Sequence, residues 1–135
     1  MTDDPRVRHI DIQVRLARAV AENLRPAELA AELDEGDVVL VDVREPEELG
    51  GGTIDGAINV PRGTMELVAD PGRPEHRLVL DPQRRVVVVC DTGARSALVV
   101  HVLYSLGYSD VAHLDGGLLA WVADGRSLTC RSDVG

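Results

Sequence analysis

Apolar residues along this chain follow two rhythms. In the first, aliphatic residues run together: Val38-Val39-Leu40-Val41-Asp42-Val43, Ala57-Ile58-Asn59-Val60, Val86-Val87-Val88-Val89 and Val111-Ala112-His113-Leu114. Short runs of this kind, bounded by polar or turn residues, predict strands, and the nearly all-apolar ones predict burial on both faces. In the second rhythm, apolar residues recur every three or four positions. Ile10, Val14, Ala17, Ala21 and Leu24 keep that spacing and predict a helix over 10–24. Pro26 suits the first turn of a helix over 27–33, which Asp34-Glu35-Gly36-Asp37 ends. One helical turn is predicted over 44–49, a short helix over 65–68, an apolar helix over 96–106 and a last helix over 118–122. Pro71 and Pro74 predict a loop over 70–81.

Strands alternate with helices at spacings that leave room for crossovers. The expected fold class is therefore α/β, an open and mainly parallel sheet flanked by helices. At 135 residues the chain is expected to form one domain. We read it as an amino-terminal helical extension (1–23), the α/β domain (24–125) and a polar tail (126–135). Composition sharpens this. There is no Phe, and the core must be built from Val, Leu, Ile and Ala, which suits strands covered on both sides.

The formal charge is −9, with eight acidic residues between Glu32 and Glu48. Such a field disfavours a nucleic-acid or anionic-membrane partner and leaves room for a basic protein. No apolar stretch reaches the roughly 18 residues of a membrane span, and Met-Thr-Asp-Asp-Pro does not read as a signal peptide. Cys90 and Cys130 do not suggest a disulfide framework, so a cytoplasmic setting is expected. His9, His76, His101 and His113 show no metal-ligand spacing with the cysteines, and His101 and His113 read as structural.

The chemistry concentrates in Cys90-Asp91-Thr92-Gly93-Ala94-Arg95-Ser96. This segment places a thiol at the carboxyl end of a strand and beside the amino end of a helix. Unpaired N–H groups there favour anions and a thiolate. Gly93 permits successive amides to turn inward. Arg95 offers charge or ties a carboxylate behind the loop, whereas Asp91 would repel anions if it faced the pocket. An inert, buried strand-end cysteine is the other reading of Cys90; its place at the carboxyl edge of the sheet favours chemistry. Asp42, ending an apolar run, is expected to be buried with Arg44 or Arg95 as partner.

Three more segments stand in order around this loop. They are Asp42-Val43-Arg44-Glu45-Pro46-Glu47-Glu48, Gly52-Thr53-Ile54-Asp55-Gly56-Ala57-Ile58-Asn59-Val60-Pro61, and Leu114-Asp115-Gly116-Gly117 followed by Trp121. Together the four resemble the signatures of the rhodanese domain in its small single-domain form, over about residues 24–125. The resemblance implies an open α/β fold with a mainly parallel five-stranded sheet. It also implies a sulfurtransferase that moves sulfane sulfur from thiosulfate or another persulfide donor to a thiol, cyanide or a protein acceptor. Cys90 would be the nucleophile and carry the sulfur as a persulfide. Asp91, Thr92, Gly93, Ala94, Arg95 and Ser96 would form the cradle, Arg44 would meet loop or substrate, and Asp42 would give structural support. No metal or organic cofactor is implied. Thr53 stands where the family usually has histidine, and Asp91 brings negative charge to the loop. Both motivate an alternative: a binding, sulfur-carrier or regulatory module with little turnover. Only four residues separate Cys90 from Arg95, one fewer than in relatives that bind phosphate or arsenate. The amino-terminal helix is expected to cover the sheet or support a homodimer, and Cys130 to be a surface thiol.

Overall fold

The computed structural model describes residues 8–130; the opening Met-Thr-Asp-Asp-Pro and the last five residues of the expected tail lie outside them. Five strands form the centre: β1 (Glu22–Leu24), β2 (Val39–Asp42), β3 (Ile58–Asn59), β4 (Val86–Val89) and β5 (Val111–Leu114). They lie in the order β1-β5-β4-β2-β3, and every pair is parallel rather than mainly so. The helices are α1 (His9–Val20), α2 (Pro26–Glu35), α3 (Met65–Ala69), α4 (Ala94–Ser105) and α5 (Gly117–Ala123), with 3-10 turns at Pro46–Gly51 and Arg62–Thr64. Among the described residues no helix is long and apolar enough to cross a membrane.

Alternation along the strands divides the core in two. Val39, Val41, Val86, Val88, Cys90 and Val111 pack with Val99, Val100 and Leu103 of α4. Leu40, Val87, Val89, Ala112 and Leu114 pack on the other face with Leu29 of α2 and with Leu118 and Trp121 of α5. Each fully buried Val or Leu stabilises the fold by roughly 1.5–3 kcal/mol. Both faces of β2 and β4 are thus covered, which explains their uninterrupted aliphatic sequences.

The expected helix over 10–24 is a correction. The helix ends at Val20, Ala21 is extended, and Glu22–Leu24 is an edge strand. Sheet pairing overrides helical periodicity here, since Leu24 lies opposite Leu114 and buries its side chain in the second core. Asn23 reinforces the break by donating its side-chain N–H groups to the carbonyls of Arg18 (2.9 Å) and Ala21 (3.1 Å). The last turn of α1 is satisfied by a side chain that is no longer helical.

Candidate active site

β4 delivers Cys90 to the carboxyl edge of the sheet, and α4 begins four residues later. The loop between them is shaped by α5. Leu118 N–H donates to the Cys90 carbonyl (2.9 Å) and Leu119 N–H to that of Asp91 (3.0 Å). Gly117 makes this approach feasible: a Cβ there would sit 2.3 Å from the Asp91 carbonyl oxygen. Gly93 takes a positive φ of 94° and caps α4, a conformation that suits glycine. With the carbonyls drawn outward to α5, amides turn inward. Gly93 N–H and Ser96 N–H both donate to Cys90 Sγ, at 3.1 and 3.3 Å. Cys90 retains 1% exposure, whereas Asp91 and Thr92 are exposed at the mouth of the loop and Ala94 and Arg95 are half-buried. Two N–H dipoles aimed at one sulfur stabilise negative charge on it.

A charged frame holds this loop. Asp42 is fully buried and accepts Arg44 Nε (3.1 Å), Arg44 Nη2 (2.9 Å), the Arg44 backbone N–H (3.0 Å) and Thr53 Oγ1 (2.6 Å). Arg44 is 4% exposed and donates onward to the carbonyls of Gly52 (2.8 Å) and Glu48 (3.0 Å). Asp42 thus pairs with Arg44, and not with Arg95. Thr53, in the usual place of a histidine, serves this carboxylate. Asp91 leans towards the same guanidinium, 3.7 Å from Nη1. Arg95 forms a two-pronged pair with Glu48, at 2.6 and 2.8 Å. Its hydrogen bonds, with that from Glu45 N–H, lower the Glu48 carboxyl to about 2, and Glu48 in turn raises Arg95.

Three residues enter the site that had not been given a role in it. Glu48 stood at the end of the Asp42–Glu48 segment, with no partner assigned. His113 is fully buried; its Nδ1 lies 2.9 Å from Ser96 Oγ and its Nε2 2.6 Å from Asn23 Oδ1. Burial pushes its imidazole down to about 4, with Asp115 opposing and Arg18 adding to the effect. Asn23 was hidden inside the expected helix. The signal available for it was Leu24-Arg25-Pro26, since a residue before proline disfavours helix. Both cysteines are free thiols, Cys90 buried and Cys130 exposed. Among the described residues no group of three or more His, Cys, Asp or Glu is placed to hold a metal ion.

Comparison with known proteins adds an independent line. The model of the rhodanese-like domain matches residues 25–124. A protein of Allochromatium vinosum described as a sulfurtransferase is 37% identical over 92 residues, covering 68% of this chain and 78% of its own. The probable adenylyltransferase/sulfurtransferase MoeZ of Mycobacterium tuberculosis is 36% identical over 104 residues, 76% of this chain. The chain spans about a quarter of that relative's length, 25%. Among solved structures, a Rhodopseudomonas palustris protein of unknown function, described as a possible tyrosine phosphatase, superposes with a TM-score of 0.84 at 30% identity. That match covers 96% of this chain and all of the other.

Proposed function

The chain belongs to the rhodanese-like domain family and has sulfurtransferases among its relatives; from that premise we propose that it transfers sulfane sulfur through a persulfide on Cys90. The observation that carries this reading is the pair of backbone amides, Gly93 and Ser96, already directed at Cys90 Sγ. The thiolate attacks the outer sulfur of a donor RS–SH, the donor's S–S bond breaks, and RS⁻ leaves. A second nucleophile then attacks the outer sulfur, the Sγ–S bond breaks, and Cys90 is regenerated. Preorganised dipoles assist both steps by supporting charge on sulfur without reorganisation. The cycle needs no metal or organic cofactor.

Asp91, Thr92, Gly93, Ala94, Arg95 and Ser96 form the cradle in this reading. Asp42 and Arg44 brace it from below, since the Arg44 donors are directed at Asp42, Gly52 and Glu48. The two arginines beside the loop are each matched by a carboxylate, and Asp91 stands half-exposed at the mouth. This charge balance favours a thiol persulfide over the doubly charged thiosulfate as donor. The acceptor would be a thiol, cyanide or a protein. A second copy packed along α1, where Ile10, Leu16 and Val20 are exposed, and a cytoplasmic setting complete the proposal. Sedimentation of Leu16→Glu checks the first of these; a mass unchanged from the wild type argues against that face.

Mass spectrometry after exposure to thiosulfate, glutathione persulfide and polysulfide tests the main reading. One added sulfur on Cys90, absent from Cys90→Ala, is expected. An unmodified Cys90 under all three donors would sink it. The burial of Cys90 favours a second reading, a carrier or regulatory module whose loop opens only to a partner. Stable loading with no discharge to thiols or cyanide would select it. Hydrolysis of phosphate monoesters is not expected, because the loop has only four residues between Cys90 and Arg95 and Arg95 is engaged by Glu48.

A further inference from the structure

Behind the cradle runs an unbroken chain of polar side chains. Cys90 Sγ lies 3.5 Å from Ser96 Oγ, Ser96 Oγ 2.9 Å from His113 Nδ1, and His113 Nε2 2.6 Å from Asn23 Oδ1. The chain has a direction, and Asn23 sets it. Its Nδ2 donates to the carbonyls of Arg18 and Ala21, so both amide hydrogens are used and Oδ1 faces the ring. An amide oxygen only accepts. Nε2 of His113 therefore carries the proton, and Nδ1 of the neutral ring is a lone pair. Nδ1 then accepts the single hydroxyl proton of Ser96, for which the Gly93 carbonyl at 3.3 Å is a longer alternative. Ser96 Oγ is left presenting a lone pair to Cys90.

We propose that Asn23 and His113 are positioning residues that set the direction of the Ser96 hydroxyl and, through it, how readily Cys90 carries negative charge. This rests on the reading of Cys90 as the reacting sulfur. In the resting arrangement Ser96 accepts a hydrogen bond from the thiol, and among the described residues an anionic sulfur has only the two amides as donors. If Nδ1 gains a proton, the hydroxyl turns and donates to sulfur as a third. The thiol–imidazole and thiolate–imidazolium forms contain the same protons. One passes from Sγ to Oγ while the hydroxyl proton passes from Oγ to Nδ1, and no electrons are gained or lost. On loading, the imidazole would hold the thiol proton; on discharge, it would return that proton to the departing Sγ.

The ring's surroundings bias the pair towards the neutral form. Asn23 from β1 offers a neutral oxygen, and α4 contributes only the Ser96 hydroxyl. Among the described residues two charged groups act on the ring, Asp115 after β5 and Arg18 from α1. They oppose each other and form their own 2.6 Å pair. The device reaches beyond the matched family segment, because Asn23 precedes residue 25 and lies opposite His113 in the β1–β5 register. A strand contributed from outside that segment thereby touches the chemistry.

The test is alkylation of Cys90 by iodoacetamide against pH, read by intact mass in the full chain carrying Cys130→Ser. Asn23→Asp places a carboxylate on Nε2 and favours the doubly protonated ring. The midpoint of the rate profile should fall by about one pH unit, a roughly tenfold faster reaction on its acid side. In a Ser96→Ala background the same substitution should leave the midpoint unmoved. His113→Leu removes the acceptor and frees the hydroxyl for sulfur, so it should also lower the midpoint; it keeps the test open if Asn23→Asp does not fold. A purely structural role would reduce thermal stability and leave every midpoint in place. That result, or an equal shift with and without the Ser96 hydroxyl, overturns the proposal. Alkylation requires no sulfur donor, so a failure here is distinct from a failure of Cys90 to form a persulfide.

Discussion

The two ends of the sheet both carry arginines held by carboxylates, and they use them differently. At the amino end Arg85 binds Glu22 (2.7 Å), Glu32 (2.8 Å) and Asp110 (2.9 Å), joining β1, α2, β4 and the approach to β5. Its guanidinium is raised by those partners. Among the described residues the hydrogen bonds of this guanidinium all go to carboxylate side chains. At the carboxyl end Arg44 spends two donors on backbone carbonyls, Gly52 and Glu48, while Asp42 holds its other face. The arrangement fixes the turn after β2 and meets the cysteine loop through Asp91, 3.7 Å from Arg44 Nη1. Similar ion pairs therefore do two jobs: one sews elements together, the other fixes the 46–52 turn, whose Glu48 carboxylate holds Arg95 beside the cysteine loop.

The largest effect expected from breaking this contrast is at Asp42. Asp42→Ala leaves the Arg44 guanidinium buried without its partner, which should cost about 3–5 kcal/mol in urea unfolding. A loss below about 1 kcal/mol would place the pair in the same class as exposed bridges. Next comes pH. His113 is lowered from 6.5 to about 4 by burial, so between those values the unfolded chain binds the proton that the folded chain refuses. Its contribution to stability is complete above pH 6.5 and is lost as pH falls towards 4, by up to about 3 kcal/mol. An unfolding series from pH 7 to 4.5 on wild type and His113→Leu checks this, and equal slopes would contradict it. Glu48 acts in the same direction at lower pH: its contribution fades as pH falls from 4.5 to about 2.

Arg85→Met should be milder, about 1–2 kcal/mol, because its carboxylates are partly exposed and can rehydrate. Sulfur loading per folded molecule should stay at the wild-type rate; a fall in that rate would mean the amino end influences the loop. The smallest effect concerns donor choice. Asp91→Asn should speed thiosulfate consumption about two- to five-fold at low salt, with the gain shrinking as salt rises. An unchanged ratio across salt would mean that the Asp91 carboxylate, already leaning on Arg44, exerts no field on the donor.

Much of this was legible along the chain. The aliphatic runs identify β2 and β4, because a strand covered on both faces has no polar side to show. Gly93 and the Gly116-Gly117 pair mark where the backbone bends past what a side chain allows, and Cys90 between a strand and a helix marks the loop where two amides meet a thiol. Asp42 at the end of β2 announced a buried charge, though the choice between Arg44 and Arg95 did not follow from its position. Glu48 could not be assigned, since a carboxylate in an acidic run looks alike whether it faces solvent or a guanidinium.

What the amino-acid sequence determined by itself was local: strand and turn identity, the cysteine loop, and the order of segments characteristic of the family. These depend on side-chain size, polarity and backbone freedom over a few neighbouring residues. What only the tertiary structure decided was pairing over distance. Residues 10–24 keep helical spacing throughout, yet the last three join the sheet, because the edge of β5 offers backbone hydrogen bonds and a buried place for Leu24. That switch brings Asn23 against His113 and His113 against Ser96. Periodicity within a segment carries no information about which distant edge awaits it, and the polar chain behind Cys90 exists only once that edge is found.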